Sequence, residues 1–151
     1  MNEDNRLSTQ QLLEQLFKER SLESFFSRDE SSFLMPSFNE YISNLCKTRG
    51  AVPEHIIIRA DIEKSYGHQL FSGKRNPSRD TVIQLAFGFE SDVEQAQMLL
   101  KVAQKTLLYP RVKRDSAIIY CLHNRISIVD TQIILHDLDL PLLGGRRNER
   151  D

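Results

Sequence analysis

At 151 residues, 40% hydrophobic and 27% charged with a net charge of −1, the chain has the make-up of a soluble protein of one domain, or of one domain with a small helical extension. That length suffices to bury about two-thirds of the unfolded surface, and near-neutrality counts against an indiscriminate nucleic-acid binder. No run reaches the roughly 18 uncharged residues of a membrane span, and the polar start MNEDNRLSTQ lacks the apolar region of a secretion signal, so a cytoplasmic location is expected.

Nearly every segment reads as helix. Ser8 followed by Gln11 is a capping-box start for TQQLLEQLFKER, whose Leu12, Leu13, Leu16 and Phe17 share one stripe. A second short helix holds Leu22, Phe25 and Phe26, and SRDESSFLMP reads as a connection closed by Pro36. Residues 1–36 thus form an N-terminal helical arm. It is acidic: Glu3, Asp4, Glu14, Glu19, Glu23, Asp29 and Glu30 face only Arg6, Lys18, Arg20 and Arg28.

Ser37 and Glu40 make a second capping box, opening FNEYISNLCKTR, which Gly50 stops. Pro53 suits the first turn of EHIIIRAD. Asp61 to Lys64 makes a turn, SYGHQLFS follows as a polar helix ended by Gly73, and Pro77 and Ser78 start RDTVIQLAFGF. Ser91 with Glu94 reads as a third box, for a helix running through DVEQAQMLLKVAQKTLL to Tyr109-Pro110. RDSAIIYCLHN and, from Ser127 with Asp130, IVDTQIILHDLDL complete the helices, before a charged tail GGRRNERD. SDVEQAQMLLKVAQKTLL and SIVDTQIILHDLDLPLL align without gaps from Ser91 and Ser127, sharing Val93/Val129, Leu99/Leu135 and Leu107/Leu143. So few identities read as two similar amphipathic helices rather than a repeat.

Catalytic and metal chemistry find no motif. There is no Gly-rich loop before Lys-Ser/Thr, no Gly-x-Ser-x-Gly and no His-Glu-x-x-His, so the chain does not read as an enzyme. Asp137 and Asp139 stand two apart on a helix and do not face each other. His55, His68, His123 and His136 lack metal-ligand spacing with Cys46 and Cys121, which read as buried free thiols. Neither a metal nor a cofactor is expected. Between Lys64 and Arg79, by contrast, stand four bases and no acid.

The order of elements from Ile56 to Glu90 is that of a helix-turn-helix: a buried support helix, a turn, a polar helix able to enter the DNA major groove. Ala60 before the turn, Ile62 after it, the Phe71-Ser72-Gly73 end, Arg75-Asn76-Pro77-Ser78 and the Leu85-Ala86 helix carry a resemblance. The segment is similar to the Cro/phage-repressor-like (XRE-type) helix-turn-helix family common in bacterial regulators. The resemblance covers about residues 37–103, and the stretch from Leu107 onward looks like a C-terminal extension seen in a bacterial subset.

It implies an all-α, lambda-repressor-like five-helix core at residues 37–108, a helical extension at 109–143 and a flexible tail at 144–151. It implies a sequence-specific, homodimeric transcriptional regulator whose partner is double-stranded DNA. Carried onto this chain, base contacts fall to Lys64, Ser65 and Gln69, with His68 as an alternate and Arg75 able to reach a base edge or a phosphate. Phosphate contacts fall to Ser72, Lys74, Asn76 and Arg79.

Three positions depart from the family pattern. Asp61 stands for a turn glycine, a conformation aspartate tolerates. Pro53 replaces a phosphate-meeting glutamine. Gly67 replaces an apolar core residue, so Tyr66 with Leu70 is expected to supply that contact and shift the helix register by about one residue. Glu63, at the mouth of the polar helix, would repel phosphate. It favours the alternative, an adaptor of the same fold that binds a protein partner through the N-terminal arm or the C-terminal helices instead of DNA. A second basic cluster, Arg111, Lys113 and Arg114, reads as a solvated link or an extension of the positive surface.

Overall fold

The computed structural model describes residues 8–28 and 36–144; the expected tail after its first residue, Gly144, and most of the SRDESSFLMP connection lie outside them. The described residues are all-helical, with no strand, and the chain divides into two compact units, Met1–Met35 and Pro36–Asp151. The C-terminal helices therefore do not form a unit apart from the residues before them.

In the first unit, α1 (Thr9–Lys18) opens on the full capping box. The Ser8 hydroxyl accepts from the Gln11 N–H at 3.1 Å, and Gln11 Oε1 accepts from the Ser8 N–H at 2.8 Å. No residue of α1 is buried. In α2 (Leu22–Arg28), Phe25 is buried, and Arg28 pairs with Glu19.

The second unit runs through α3 (Phe38–Thr48), α4 (Pro53–Arg59), α5 (Lys64–Ser72), α6 (Arg79–Gly88), α7 (Val93–Val102), α8 (Lys113–His123) and α9 (Ile128–Asp137). Ser37 caps α3 by accepting from the Glu40 N–H, but the Glu40 carboxylate accepts from the Ser37 hydroxyl rather than from its N–H. Pro53 takes the first turn of α4. At the centre lies α6, with every residue from Thr81 to Phe89 buried. Ile42, Cys46, Ile56, Ile57 and Leu70 share one buried core with it, and Leu99, Leu100, Ile118 and Leu135 belong to the same core. Cys46 and Cys121 are free and buried within it.

Six helices end alike. Gly50, Asp61, Glu90, Gln104, Arg125 and Asp139 hold φ between 54° and 64°. The residue after each donates its N–H to a carbonyl five positions back, as Ser91 does to Ala86 and Ile126 to Cys121. This is the Schellman stop, which satisfies carbonyls that a helix end leaves open. Only Gly50 is glycine, so the other five turns bear a left-handed cost of roughly 1–2 kcal/mol each.

Two of these stops correct the expected helix lengths. The helix read through to Leu108 ends at Val102, because Gln104 turns left-handed and the Gln97 side chain captures both the N–H and the C=O of Leu108, at 2.8 and 2.9 Å. The last helix likewise ends at Asp137, and Gln132 captures both backbone groups of Leu143 at 2.8 Å. The third capping box is also displaced: Asp92, not Ser91, caps α7 by accepting from the Gln95 N–H.

The parallel between Gln97 and Gln132 is part of a repeat, contrary to the expectation of two merely similar helices, and its offset is 35 positions rather than 36. Arg79-Asp80 corresponds to Arg114-Asp115, Ile83 to Ile118, Gln97 to Gln132, Leu100 to Leu135 and Leu108 to Leu143. The left-handed residues follow the same offset, Glu90 with Arg125 and Gln104 with Asp139. The two halves interlock reciprocally: α6 packs on α9 and α7 on α8. Arg79 pairs with Asp115, and Arg114 with Asp80. Such exchange of equivalent partners is what a two-fold relationship produces.

Candidate nucleic-acid interface

The turn between α4 and α5 is closed by Asp61 (φ 57°), in the left-handed conformation its place requires. Gln84, buried on α6, fixes this corner by donating to the carbonyls of Ala60 at 3.2 Å and Asp61 at 3.4 Å. Glu63 then caps α5: its carboxylate accepts from the Ser65 N–H at 2.6 Å and the Tyr66 N–H at 3.1 Å. Those backbone bonds, Ser65 first, hold the Glu63 carboxyl below its ordinary pKa. Glu63 is thus the residue that starts this helix, and its charge meets the positive end of the helix dipole.

The inner face of α5 consists of Gly67, Leu70 and Phe71, all buried. Gly67 is the core-facing residue itself, because the Ile57 side chain fills the space a Cβ would need. Leu70 is in the core and half-buried Tyr66 packs against it, as expected, its hydroxyl 3.5 Å from that of Thr81; the one-residue shift does not occur, because Gly67 keeps the inward position.

The opposite face carries Lys64, Ser65, His68 and Ser72, all exposed, with Gln69 half-buried beside them. After Ser72, Gly73 (φ 87°) makes the left-handed stop, with a Cβ there lying 3.1 Å from the Asn39 side chain. Lys74, Arg75 and Asn76 are exposed in the loop, Pro77 is buried, and Ser78 caps α6 by accepting from the Thr81 N–H. The fold therefore gathers eight of the nine expected residues onto one helix face and the loop that continues it. Among the described residues, no hydrogen bond or ion pair occupies the side chains of His68, Gln69, Lys74, Arg75 or Asn76.

Two residues behave differently. Lys64 Nζ lies 2.9 Å from the Glu54 carboxylate of α4, an exposed pair whose hydrogen bond lowers the Glu54 pKa. Arg79, expected at a phosphate, turns inward. It donates to the carbonyls of Thr106 (2.8 Å) and Leu107 (3.1 Å) and to both Asp115 oxygens (2.9 and 3.3 Å). Four of its five N–H groups are committed there. Asp115 was not among the expected site residues. The signal that could have found it is the Arg-Asp dipeptide recurring 35 positions on, read at the right offset.

Among the described residues no group of three His, Cys, Asp or Glu side chains could hold a metal ion, and no helix is long and apolar enough to cross a membrane. No protein-family model matches this chain, and neither the curated proteins nor the solved structures contain a match to it.

Proposed function

We propose that the protein is a sequence-specific DNA-binding transcriptional regulator of the lambda-repressor-like helix-turn-helix kind, with α5 as the recognition helix and a homodimer as the binding form. The observation that carries this reading is the continuous outward surface of Lys64, Ser65, His68 and Gln69 with Lys74, Arg75 and Asn76, held by a fully buried inner face. A major groove about 12 Å wide admits one helix, and these side chains have the donors to read it. Lysine donates to guanine O6 and N7, glutamine pairs with adenine, and the loop cations meet phosphates on the flanking strand. Glu63 remains an exposed anion at the mouth of α5, but its carboxylate is bonded to the backbone at the positive end of that helix, which offsets part of its charge. Two half-sites about one DNA turn apart would multiply specificity.

The test is selection of bound fragments from a random DNA pool by the purified protein, followed by salt titration on the enriched sequence. Enrichment of a motif and a steep fall of affinity with salt support the reading; no motif and a flat titration end it.

One observation favours a second reading, an adaptor that uses the same helices to bind a protein. A cleft of about 330 Å³ opens between Ile58 of α4 and the α8–α9 turn with Ile126, Ile128 and Val129. Ile58 and Val129 are 69% and 59% exposed, as an apolar partner surface would need. Loss of partner capture on Ile58→Asp, in a protein that enriches no DNA, would promote it.

A further inference from the structure

Arg79 and Asp80 are the first two residues of α6, immediately after Ser78, and so define where the loop 73–78 ends. The other end is set by the left-handed turn at Gly73 (φ 87°) that stops α5. Lys74, Arg75 and Asn76 lie between these two points; among the described residues no hydrogen bond or ion pair holds their side chains, and the Arg75 N–H donates to the Gln69 carbonyl at 3.3 Å.

What holds the far point comes from the second half of the repeat. Asp115 on α8 is buried at 4% exposure and takes three donors, two from Arg79 and the Tyr109 N–H at 2.9 Å. Arg114 reaches back to Asp80 through two bonds of 3.0 Å, while two further donors bind the carbonyls of Pro141 and Leu142 at 2.9 Å. The Gly144 N–H completes the Asp80 site at 2.9 Å. Both pairs are bidentate, the geometry that fixes orientation as well as distance. The first turn of α6 is thereby bolted to the first turn of α8 and to both extended segments, 106–109 and 141–144.

We propose that Arg79, Asp80, Arg114 and Asp115 form a positioning clamp through which the α8–α9 hairpin sets the attitude of the Lys74–Asn76 loop toward DNA. The proposal rests on the DNA-binding reading for its consequence, but not for its geometry. The four residues are positioning residues, since none faces the outward surface. Breaking the Arg79–Asp115 pair releases the start of α6, so the loop cations lose their register on the phosphates while keeping their charge.

The test compares wild type, Asp115→Asn, Asp115→Glu, Arg79→Gln and Ser127→Ala, the last removing the α9 cap while leaving all four clamp residues in place. Amide exchange at Thr81 and Val82, whose N–H groups bond Ser78 where the loop meets α6, is read first, without DNA. Asp115→Asn should accelerate exchange there at least tenfold, and Ser127→Ala should not. Equal rates in Asp115→Asn and wild type would overturn the clamp whether or not the protein binds DNA. On the enriched DNA sequence, Asp115→Asn should lose about tenfold in affinity with an unchanged slope of log K against log salt, since no phosphate-contacting cation is removed. Asp115→Glu should recover part of the loss. Ser127→Ala should lower the thermal midpoint while leaving affinity alone. A slope smaller by about 1 in Arg79→Gln would make Arg79 a phosphate contact, and equal affinity losses in Asp115→Asn and Ser127→Ala would reduce the clamp to general stability; either overturns the proposal. If wild type enriches no DNA while exchange behaves as expected, the DNA reading fails and the clamp's role in loop geometry stands.

Discussion

Ile57 occupies the space where Gly67 has no side chain: a Cβ on Gly67 would lie 2.5, 2.7 and 2.9 Å from three of its side-chain carbons. The glycine lets α4 and α5 approach by one methyl group more than any other residue would allow. An alanine in a helix interior normally gains about 1 kcal/mol over glycine, whereas overpacking a filled core costs about 1–3 kcal/mol. Ile57 is 1% exposed and cannot move aside, so the second effect wins. We predict that Gly67→Ala destabilises the protein, and that in an Ile57→Ala background the same change becomes neutral or stabilising. Urea unfolding of the four proteins in this cycle checks it; additive effects would contradict the contact.

The glutamine clasps should be matched in effect. Gln97 and Gln132 each satisfy the N–H and C=O of a buried leucine, Leu108 and Leu143. Leaving such groups unpaired costs about 1–3 kcal/mol. Gln97→Ala and Gln132→Ala are each expected to lower stability within that range. Thermal unfolding that distinguished them sharply would argue against equivalence of the two halves.

Acid should weaken the Arg114–Asp80 pair in a predictable direction. Burial alone would raise the Asp80 pKa, but the Arg114 hydrogen bond, the Gly144 N–H and the charges of Arg114 and Arg79 together bring it below the ordinary value of 3.8. A carboxyl depressed in the folded state contributes stability above its unfolded pKa and loses it as pH falls through the folded one. Wild type should therefore lose stability more steeply than Asp80→Asn below about pH 4, so the gap between them narrows as acid is added. Thermal midpoints measured from neutral pH downward read this directly, and parallel curves would refute it.

On DNA, the outward residues should separate by role. Gln69→Ala should cost about 1–3 kcal/mol on the enriched sequence and relax preference at one base, whereas Lys74→Ala should weaken all sequences alike and reduce the salt slope by about 1. Glu54→Gln should raise affinity for every sequence, because it frees Lys64 from its partner on α4. Competition titrations against non-specific DNA discriminate these outcomes; a Lys74→Ala effect confined to one sequence would reassign that residue to base reading.

Local chemistry is legible in the sequence because its partners lie within a turn. Ser8 with Gln11, Pro53 at a helix start, Asp61 in a left-handed turn, Gly73 at a helix end and Ser127 before α9 all stand where residue type and spacing placed them. So does the inner face of the second unit, since apolar residues at helical spacing have one side to bury. What the sequence could not decide are matters settled by residues far along the chain. Gly67 keeps its register because Ile57 fills its space, and Arg79 turns inward because Asp115, 36 positions on, offers a buried carboxylate. The early ends of α7 and α9 depend on glutamines whose side chains reach backbone 11 positions away. Periodicity records which face of a helix is apolar; it carries no record of which distant side chain will meet that face, and that choice is made only when the helices pack.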